Sequence, residues 1–440
     1  MCCTKLPIFV QYNINNMLKS AVIRQKEEKE RLLSLLYIKR SKADQIQKWL
    51  DSDLIKVILG PRRSGKSVFA LMMLRGQEFA YFNFDDELLA HRKDFQPDQL
   101  LQELHSVYGQ FKYLLLDEIQ NLPDWELFVN RLHRQGYNIV LTGSNARLLG
   151  RELATALTGR HIPIEILPFN FQEFLRAKNY QVDQPELRVP EKQGQLLHLL
   201  EQYLVSGGYP EVVVKDLDVR SYLGVLFDSL LFQDVVKRHR VRFSNQMGHL
   251  GSYLVNNVTS PYSARRLTQK LDFNSSHTLE KYLGYLVEAY LIFTLQRYSP
   301  QAGQRLRSSR KIYVVDNGFV TAKGVPHSPD TGQLMENLVF MELVKRGFQP
   351  NQDLFYYQTR QQHQVDFVLK SGSSLLELIQ VAYRFDRTET EDREIKALLE
   401  AGRELKVDRL TILTWDRDEV VQRGSQVVCF KPLWLWLLEK

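Results

Sequence analysis

The chain has 440 residues, too many for one hydrophobic core, and its 44% hydrophobic and 25% charged content is that of an ordinary globular protein of two to four domains. Its 58 basic and 51 acidic residues leave a formal charge of +7, which permits a nucleic-acid partner without demanding one. Three cysteines, Cys2, Cys3 and Cys429, are too few and scattered for a disulfide framework or a zinc site. No apolar run approaches the roughly 20 residues needed to span a bilayer, and the N-terminus lacks a basic-then-apolar export signal. A cytoplasmic protein with no membrane partner is expected.

Residues 1 to about 50 carry no catalytic signature, and 1–40 are expected to form a helical extension. The charged stretch 23–36 has opposite charges at helical i,i+3 and i,i+4 spacing and is expected to be a solvated helix leading into the first domain. The first domain, 41–168, is organised by an apolar strand, Leu54 to Leu59, followed by Gly60-Pro61-Arg62-Arg63-Ser64-Gly65-Lys66-Ser67 and an amphipathic helix. Backbone N–H groups of a loop bounded by two glycines turn inward around an oxyanion, and the helix start points its positive dipole end at the same place. Lys66 is then placed to reach the outer phosphates of a nucleotide, and the Ser67 hydroxyl to ligate Mg²⁺.

Strand signals recur at 78–85, 113–117, 138–143 and 162–167, separated by helical candidates at 97–108 and 125–135. This alternation predicts an α/β domain with a parallel sheet, whose ligands bind beyond the carboxyl ends of the strands. Two carboxylates, Asp117 and Glu118, terminate one apolar run, a placement that is costly unless they face a cation or water. Asp117 suits the Mg²⁺ shell and Glu118 the general base that takes a proton from the attacking water. Ser144 and Asn145 end the following strand as a weaker candidate pair for sensing the outermost phosphate.

The phosphate loop, Leu116-Asp-Glu-Ile-Gln120, Leu141-Thr-Gly-Ser-Asn145, and the run from Leu157-Thr-Gly-Arg160 to Leu167-Pro-Phe-Asn-Phe-Gln-Glu-Phe174 resemble the AAA-type ATPases of the archaeal-ATPase/STAND neighbourhood. Members of that family pair the ATPase with a winged helix and a C-terminal domain related to restriction-endonuclease folds. The resemblance runs from about residue 40 to the C-terminus and implies ATP with Mg²⁺. Consistently, the sequence has no Asn-Lys-x-Asp guanine-reading motif. The resemblance also makes Arg160 the candidate arginine for stabilising transition-state charge, with nearby Arg151 as the alternative.

A helical lid or connector is expected over 169–242, with a Ser206-Gly-Gly-Tyr-Pro210 turn that fixes a helix-to-helix junction. Over 243–315, three helical runs and two strands follow a winged-helix order. The loop 299–311, with Arg305, Arg307, Arg310 and Lys311, is basic enough to ride on phosphates, but the third helix has Lys281 as its sole cation. DNA and protein partners therefore both stay open for this module, as does a homo-oligomer for the whole chain.

The last domain, 316–440, has a helix-and-strand order that resembles the PD-(D/E)XK nuclease fold, which places Glu336 and Asp366 at metal-ligand positions. Where the family has Glu-x-Lys this chain has Gln380-Val-Ala382, and Glu377 lies on the opposite strand face. A degenerate, non-cutting domain is expected, with Lys396 as a conceivable stand-in lysine. The combined expectation is an ATP-hydrolysing switch whose nucleotide state is passed to the winged-helix and C-terminal domains, on DNA or on a protein. The alternatives are an ATP-regulated Mg²⁺-dependent nuclease and a nucleotide-bound scaffold with negligible hydrolysis.

Overall fold

Strand β1 (Ile55–Leu59) is buried along its whole length, so it needs cover on both faces, and its alternating side chains divide between two cores. Ile55, Val57 and Leu59 join one core with Leu18, Val22, Leu100, Leu104, Trp125 and Phe128. Ile58 joins the other with Phe69, Ala70, Leu74, Tyr81 and Tyr113. Lys56 is the polar exception, buried with its ammonium on Ser52 O and Asn138 Oδ1, both at 2.6 Å.

This sandwich belongs to a computed structural model that describes residues 8–87, 96–144, 157, 159–181, 189–324, 330–384 and 388–439. Two compact units divide the chain, Met1–Ile166 and Leu167–Lys440. Asn145 and Arg151 lie outside the described residues.

In the first unit β2 (Phe79–Asn83), β3 (Tyr113–Asp117), β4 (Asn138–Gly143) and β5 (His161–Glu165) complete a five-stranded sheet in the order β2-β3-β4-β1-β5. Every neighbour pair is parallel. The phosphate-loop strand is thus interior, between β4 and β5, and the carboxyl ends of β1, β4 and β3 stand side by side. Helix Lys66–Met73 covers one face, and helices Pro97–Tyr108 and Trp125–Arg134 the other.

The N-terminal stretch departs from expectation in part. The helix is longer, Ile8–Ser34, and within 23–36 Arg24, Glu27, Glu28, Glu30 and Arg31 are exposed as expected, whereas Gln25 and Lys29 are buried, as are Leu18, Ala21 and Val22 before them. Gln25 grips the backbone at the end of β2, accepting from Asn83 N at 2.8 Å and donating to Asn83 O at 3.2 Å. Lys29 donates to Phe79 O at 3.2 Å, and burial pulls its ammonium down to about 8. The charge pattern that reads as a solvated face includes residues whose polar ends bind strand backbone while their stems are covered.

In the second unit, helices Phe171–Ala177, Pro190–Ser206, Pro210–Lys215 and Val219–Ser229 lead into a π-helical stretch, Leu230–Lys237. Helices Ser244–Asn256, Ala264–Lys270 and Ser276–Glu288 follow, with strands β6 (Pro261–Tyr262), β7 (Ile292–Gln296) and β8 (Arg310–Val314) in an antiparallel sheet of order β6-β8-β7. The connection between β7 and β8 is not wholly loop, since Ala302–Arg307 is helical. Arg310 is no free phosphate rider: it lies on β8 and pairs with Glu280 at 2.9 Å.

A six-stranded mixed sheet completes this unit, order β13-β14-β12-β11-β10-β9, from β9 (Leu354–Gln358), β10 (Gln364–Ser371), β11 (Ser374–Val381), β12 (Leu410–Thr414), β13 (Glu419–Arg423) and β14 (Gln426–Pro432). Strands β9, β10 and β11 pair antiparallel, helix Thr388–Leu405 crosses over, and β12 returns parallel to β11. Helix Thr331–Lys345 is tied to β8 by fully buried Asn337, which accepts from Val314 N at 2.8 Å and donates to Val314 O at 2.9 Å.

The Ser206–Pro210 turn is fixed by a buried carboxylate. Gly207 and Gly208 run directly over Asp316, whose carboxylate accepts from Gly208 N at 2.7 Å and from Gly318 N at 2.9 Å. Burial pushes the Asp316 carboxyl up to about 6. Gly207 has φ 71, and a Cβ there would stand 1.7 Å from Asp316 Oδ1. Gly207→Ala is therefore expected to destabilise the second unit by about 3 kcal/mol or more. Gly224→Ala, on a helix where a Cβ meets nothing within 4 Å, should stabilise by about 0.5–1 kcal/mol. Denaturant unfolding of both variants checks the pair; equal midpoints would contradict it.

Candidate functional site

The loop after β1 is shaped by close backbone approach. Gly60 has φ 147, and a Cβ there would sit 2.1 Å from Ile166 O, so the chain passes that carbonyl only as glycine. Gly65, with φ 91, is the N-cap of helix Lys66–Met73 and provides no side-chain cap, which leaves the first-turn N–H groups to whatever the loop encloses. Arg63 is also left-handed, φ 64. Ser64 is buried, and its hydroxyl has no hydrogen-bond partner among the described residues. Arg40 holds the loop from outside, donating from Nη1 to Ser64 O at 2.9 Å. Pro61 O accepts from Lys66 Nζ at 3.0 Å, and the Lys66 ammonium lies 3.8 Å from Glu118 Oε1.

Asp117 is the centre of this site. It closes β3 as the last of five buried residues. The β3/β4 register, Leu116 beside Leu141, places it next to Thr142, and the β4/β1 register places Thr142 beside Ile58. Its Oδ1 accepts from Ser67 Oγ at 2.9 Å and, in a short bond, from Thr142 Oγ1. Its Oδ2 accepts from Tyr81 OH at 3.2 Å. Burial first, and then the Glu118 charge, push this carboxyl above the ordinary range, against the hydrogen bonds and the charge of Lys66.

Glu118 turns out of the strand in a left-handed conformation, φ 51, that costs a non-glycine residue on the order of 1–3 kcal/mol and persists where the surroundings over-determine it. Here Glu118 N donates to Thr142 Oγ1 at 3.0 Å, and Gln120 Nε2 makes a short hydrogen bond to Glu118 Oε2. Gln120 Nε2 also lies 3.4 Å from Ser144 Oγ. The orphaned Ser64 hydroxyl, the uncapped helix start and the Ser67–Asp117 oxygens together fit a nucleotide phosphate with its Mg²⁺.

The structure thus gathers Gly60, Pro61, Ser64, Gly65, Lys66, Ser67, Asp117, Glu118 and Ser144. It does not bring Arg160 to them. Arg160 O accepts from Ile55 N at 2.9 Å, at the amino end of β1, and five residues of strand at ~3.3 Å each separate that end from the phosphate loop. Within one subunit the exposed Arg160 therefore stands at the strand end opposite the phosphate loop. Arg40, Tyr81, Thr142 and Gln120 act at the site without having been singled out. Thr142 alone carries a sequence signal, as a hydroxyl inside the apolar run Asn138–Gly143.

Glu336 and Asp366 do lie together in the second unit, but not as an open pair of metal ligands. Buried Lys311 stands between them, with Nζ at 2.8 Å from Glu336 Oε1 and 3.0 Å from Asp366 Oδ1. Tyr313 OH donates to Glu336 Oε1 at 2.7 Å, and Gln364 Nε2 to Asp366 Oδ1 at 3.2 Å. Asp366 Oδ2 accepts from Val381 N at 3.1 Å. Burial and the Asp366 charge push the Glu336 carboxyl up to about 7, while the two carboxylates hold the Lys311 ammonium charged against the cost of burial. Gln380 Oε1 accepts from Asp366 N at 3.2 Å, and its Nε2 donates to Glu394 Oε2 at 2.7 Å. Lys396 is exposed; Glu377 pairs with Arg409 at 3.2 Å and accepts from Thr411. No cluster of three or more His, Cys, Asp or Glu side chains able to hold a metal occurs among the described residues.

Comparison with known proteins gives a family profile described as an AAA domain over residues 52–175. Two domains of unknown function, DUF8612 and DUF4143, match 197–327 and 331–435. The uncharacterized protein MJ1544 of Methanocaldococcus jannaschii is 35% identical over 399 residues, covering 87% of this chain and 88% of its own. An uncharacterized protein of Haemophilus influenzae is 33% identical over 361 residues, 77% of this chain and 85% of its own. Among solved structures, the Walker-type ATPase PABY2304 of Pyrococcus abyssi is similar over 67% of this chain and 100% of its own length, with 15% identity and a TM-score of 0.43.

The Asp117 network yields a stability test. Thr142→Val removes a donor from a buried carboxylate and an acceptor from the Glu118 N–H at nearly constant volume, and should cost about 2–4 kcal/mol in denaturant unfolding. Thr142→Ser should recover most of that loss. A Thr142→Val midpoint equal to wild type would contradict the network.

Proposed function

The chain belongs to one family with the Methanocaldococcus protein MJ1544 and matches an AAA domain over residues 52–175, and we propose that it binds ATP with Mg²⁺ at Gly60–Ser67 and hydrolyses it, with the unit Leu167–Lys440 as its output. The observation that carries this reading is the convergence of Lys66, Ser67, Asp117 and Glu118 at the carboxyl ends of adjacent strands, with Ser67 Oγ 2.9 Å from Asp117 Oδ1. In this reading loop N–H groups and Lys66 hold the β- and γ-phosphates, and Arg62 and Arg63 flank the loop. Ser67 and Asp117 hold Mg²⁺, which supplies neutralising charge at the phosphoryl oxygens. Glu118, positioned by Gln120 and Thr142, accepts a proton from the water that attacks the γ-phosphate. Arg160 is assigned to a neighbouring copy's site, which makes a homo-oligomer part of the proposal. Ser144 and Asn145 keep their place as the sensors of the outermost phosphate.

Residues 244–314 are read as a winged helix. The order helix, strand, helix, helix, hairpin and the sheet β6-β8-β7 support this. With Arg310 engaged by Glu280, the cations it offers to DNA among the described residues include Arg265, Arg266 and Lys270, exposed on helix Ala264–Lys270, exposed Lys281 and half-buried Arg305. Residues 331–435 are read as a degenerate PD-(D/E)XK-like domain, supported by the order helix, three antiparallel strands, helix, parallel strand. Nuclease activity is not part of the proposal, because Lys311 takes the space between Glu336 and Asp366. Negligible hydrolysis is not part of it either, given the placement of Glu118.

The test is nucleotide binding and turnover in two variants. Lys66→Ala should lose tight ATP binding. Glu118→Gln should keep binding and lose turnover by about 10²–10⁴-fold, the usual worth of a positioned base. Hydrolysis by Glu118→Gln at the wild-type rate would remove that residue from the mechanism, and undiminished ATP binding by Lys66→Ala would remove the site.

A further inference from the structure

A divalent cation between two carboxylates and an ammonium between two carboxylates answer the same electrostatic problem, and one excludes the other. Glu336 and Asp366 come from helix Thr331–Lys345 and strand β10, and Lys311 reaches them from β8, which belongs to a different sheet. The ammonium is 1% exposed and makes hydrogen bonds of 2.8 and 3.0 Å to one oxygen of each carboxylate. Tyr313 OH, Gln364 Nε2 and Val381 N add neutral donors to the same two carboxylates. Each hydrogen-bond partner of these carboxylate oxygens is therefore a donor, and the site's cation is covalently part of the chain. A metal beside Lys311 would bring two cationic centres within a few ångströms in a buried setting, where such repulsion is largest.

We propose that the Lys311 ammonium permanently replaces a divalent cation between Glu336 and Asp366, so that this site is metal-free in the working protein and becomes a divalent-cation site only when Lys311 is removed. The proposal deepens the endonuclease-like reading of residues 331–435. The consequence for Lys311→Ala follows from charge. Loss of one partner leaves two buried carboxylates facing each other, a strongly destabilising arrangement, and a hard divalent ion with water in the vacated stem volume relieves it. Lys311→Met keeps the stem volume and removes the charge, so it leaves no room for the ion.

The test counts bound Mn²⁺ by electron paramagnetic resonance in the full-length wild type, Glu336→Gln, Lys311→Ala, Lys311→Met and Lys311→Ala/Glu336→Gln proteins without nucleotide. Any Mn²⁺ held at Ser67 and Asp117 is common to all five. The expected result is equal Mn²⁺ in wild type and Glu336→Gln, and one additional ion per chain in Lys311→Ala, with Kd on the order of 10⁻³ M or tighter. That extra ion should disappear in the double variant and be absent in Lys311→Met. Melting of Lys311→Ala should rise with Mn²⁺ while that of Lys311→Met does not. One more ion in wild type than in Glu336→Gln would overturn the proposal, and this comparison needs no Lys311 variant to fold. A folded Lys311→Ala with no additional ion would overturn it equally. None of these readouts passes through ATP, so they stand or fall apart from the ATPase reading.

Discussion

The first unit depends on a carboxylate placed where a parallel sheet least tolerates one. Strand β3 is buried from Tyr113 to Asp117, and a desolvated charge at its end is admissible only if donors or a cation meet it. The sheet order β2-β3-β4-β1-β5 brings three hydroxyls to it: Tyr81 from β2, Thr142 from β4 and Ser67 from the helix that follows β1. None of these strands can shift register without moving a donor away from Asp117. The same arrangement lines up the carboxyl ends of β1, β3 and β4, so the requirement that stabilises the sheet also assembles the phosphate site.

The second unit meets the same problem with an opposite solution. There the buried carboxylates Glu336 and Asp366 face a lysine rather than hydroxyls beside an open loop. Hydroxyls around Asp117 can yield to a metal and its waters, because Ser67 and Asp117 are both hard oxygen ligands. An ammonium cannot be a ligand at all. Under the two proposals the contrast separates a site that exchanges its cation from one whose cation is permanent, and Lys311 links β8, helix Thr331–Lys345 and β10 into one block.

What was legible in the sequence was local. The spacing from Gly60 to Ser67 specifies loop, helix start and side-chain roles within eight consecutive residues, and the β3 run announces Asp117 by ending in charge. Expected helices and strands coincide with most described elements because their periodicity is strong; β13, a short and largely exposed edge strand, lacked that signal. What was not legible depends on contacts across long separations. Lys311 reads as one more cation of a basic loop, yet its partners lie 25 and 55 residues away. Arg160 sits close in sequence to the β5 strand but at its wrong end for a phosphate in the same subunit, which only strand register reveals. The N-terminal helix looks solvated because Gln25 and Lys29 count as polar, whereas both are consumed by backbone of β2.

The central claim is that the Ser67–Asp117 pair and Lys66 form a nucleotide-phosphate and Mg²⁺ site. A crystal structure of the chain with Mg²⁺ and a non-hydrolysable ATP analogue tests it most directly. The account predicts the triphosphate within the loop Gly60–Ser67, Lys66 Nζ on its outer oxygens and Mg²⁺ shared by Ser67 Oγ and the Asp117 carboxylate shell. An analogue bound elsewhere, or bound in the loop while Asp117 and Ser67 take no part in holding the metal, would contradict it.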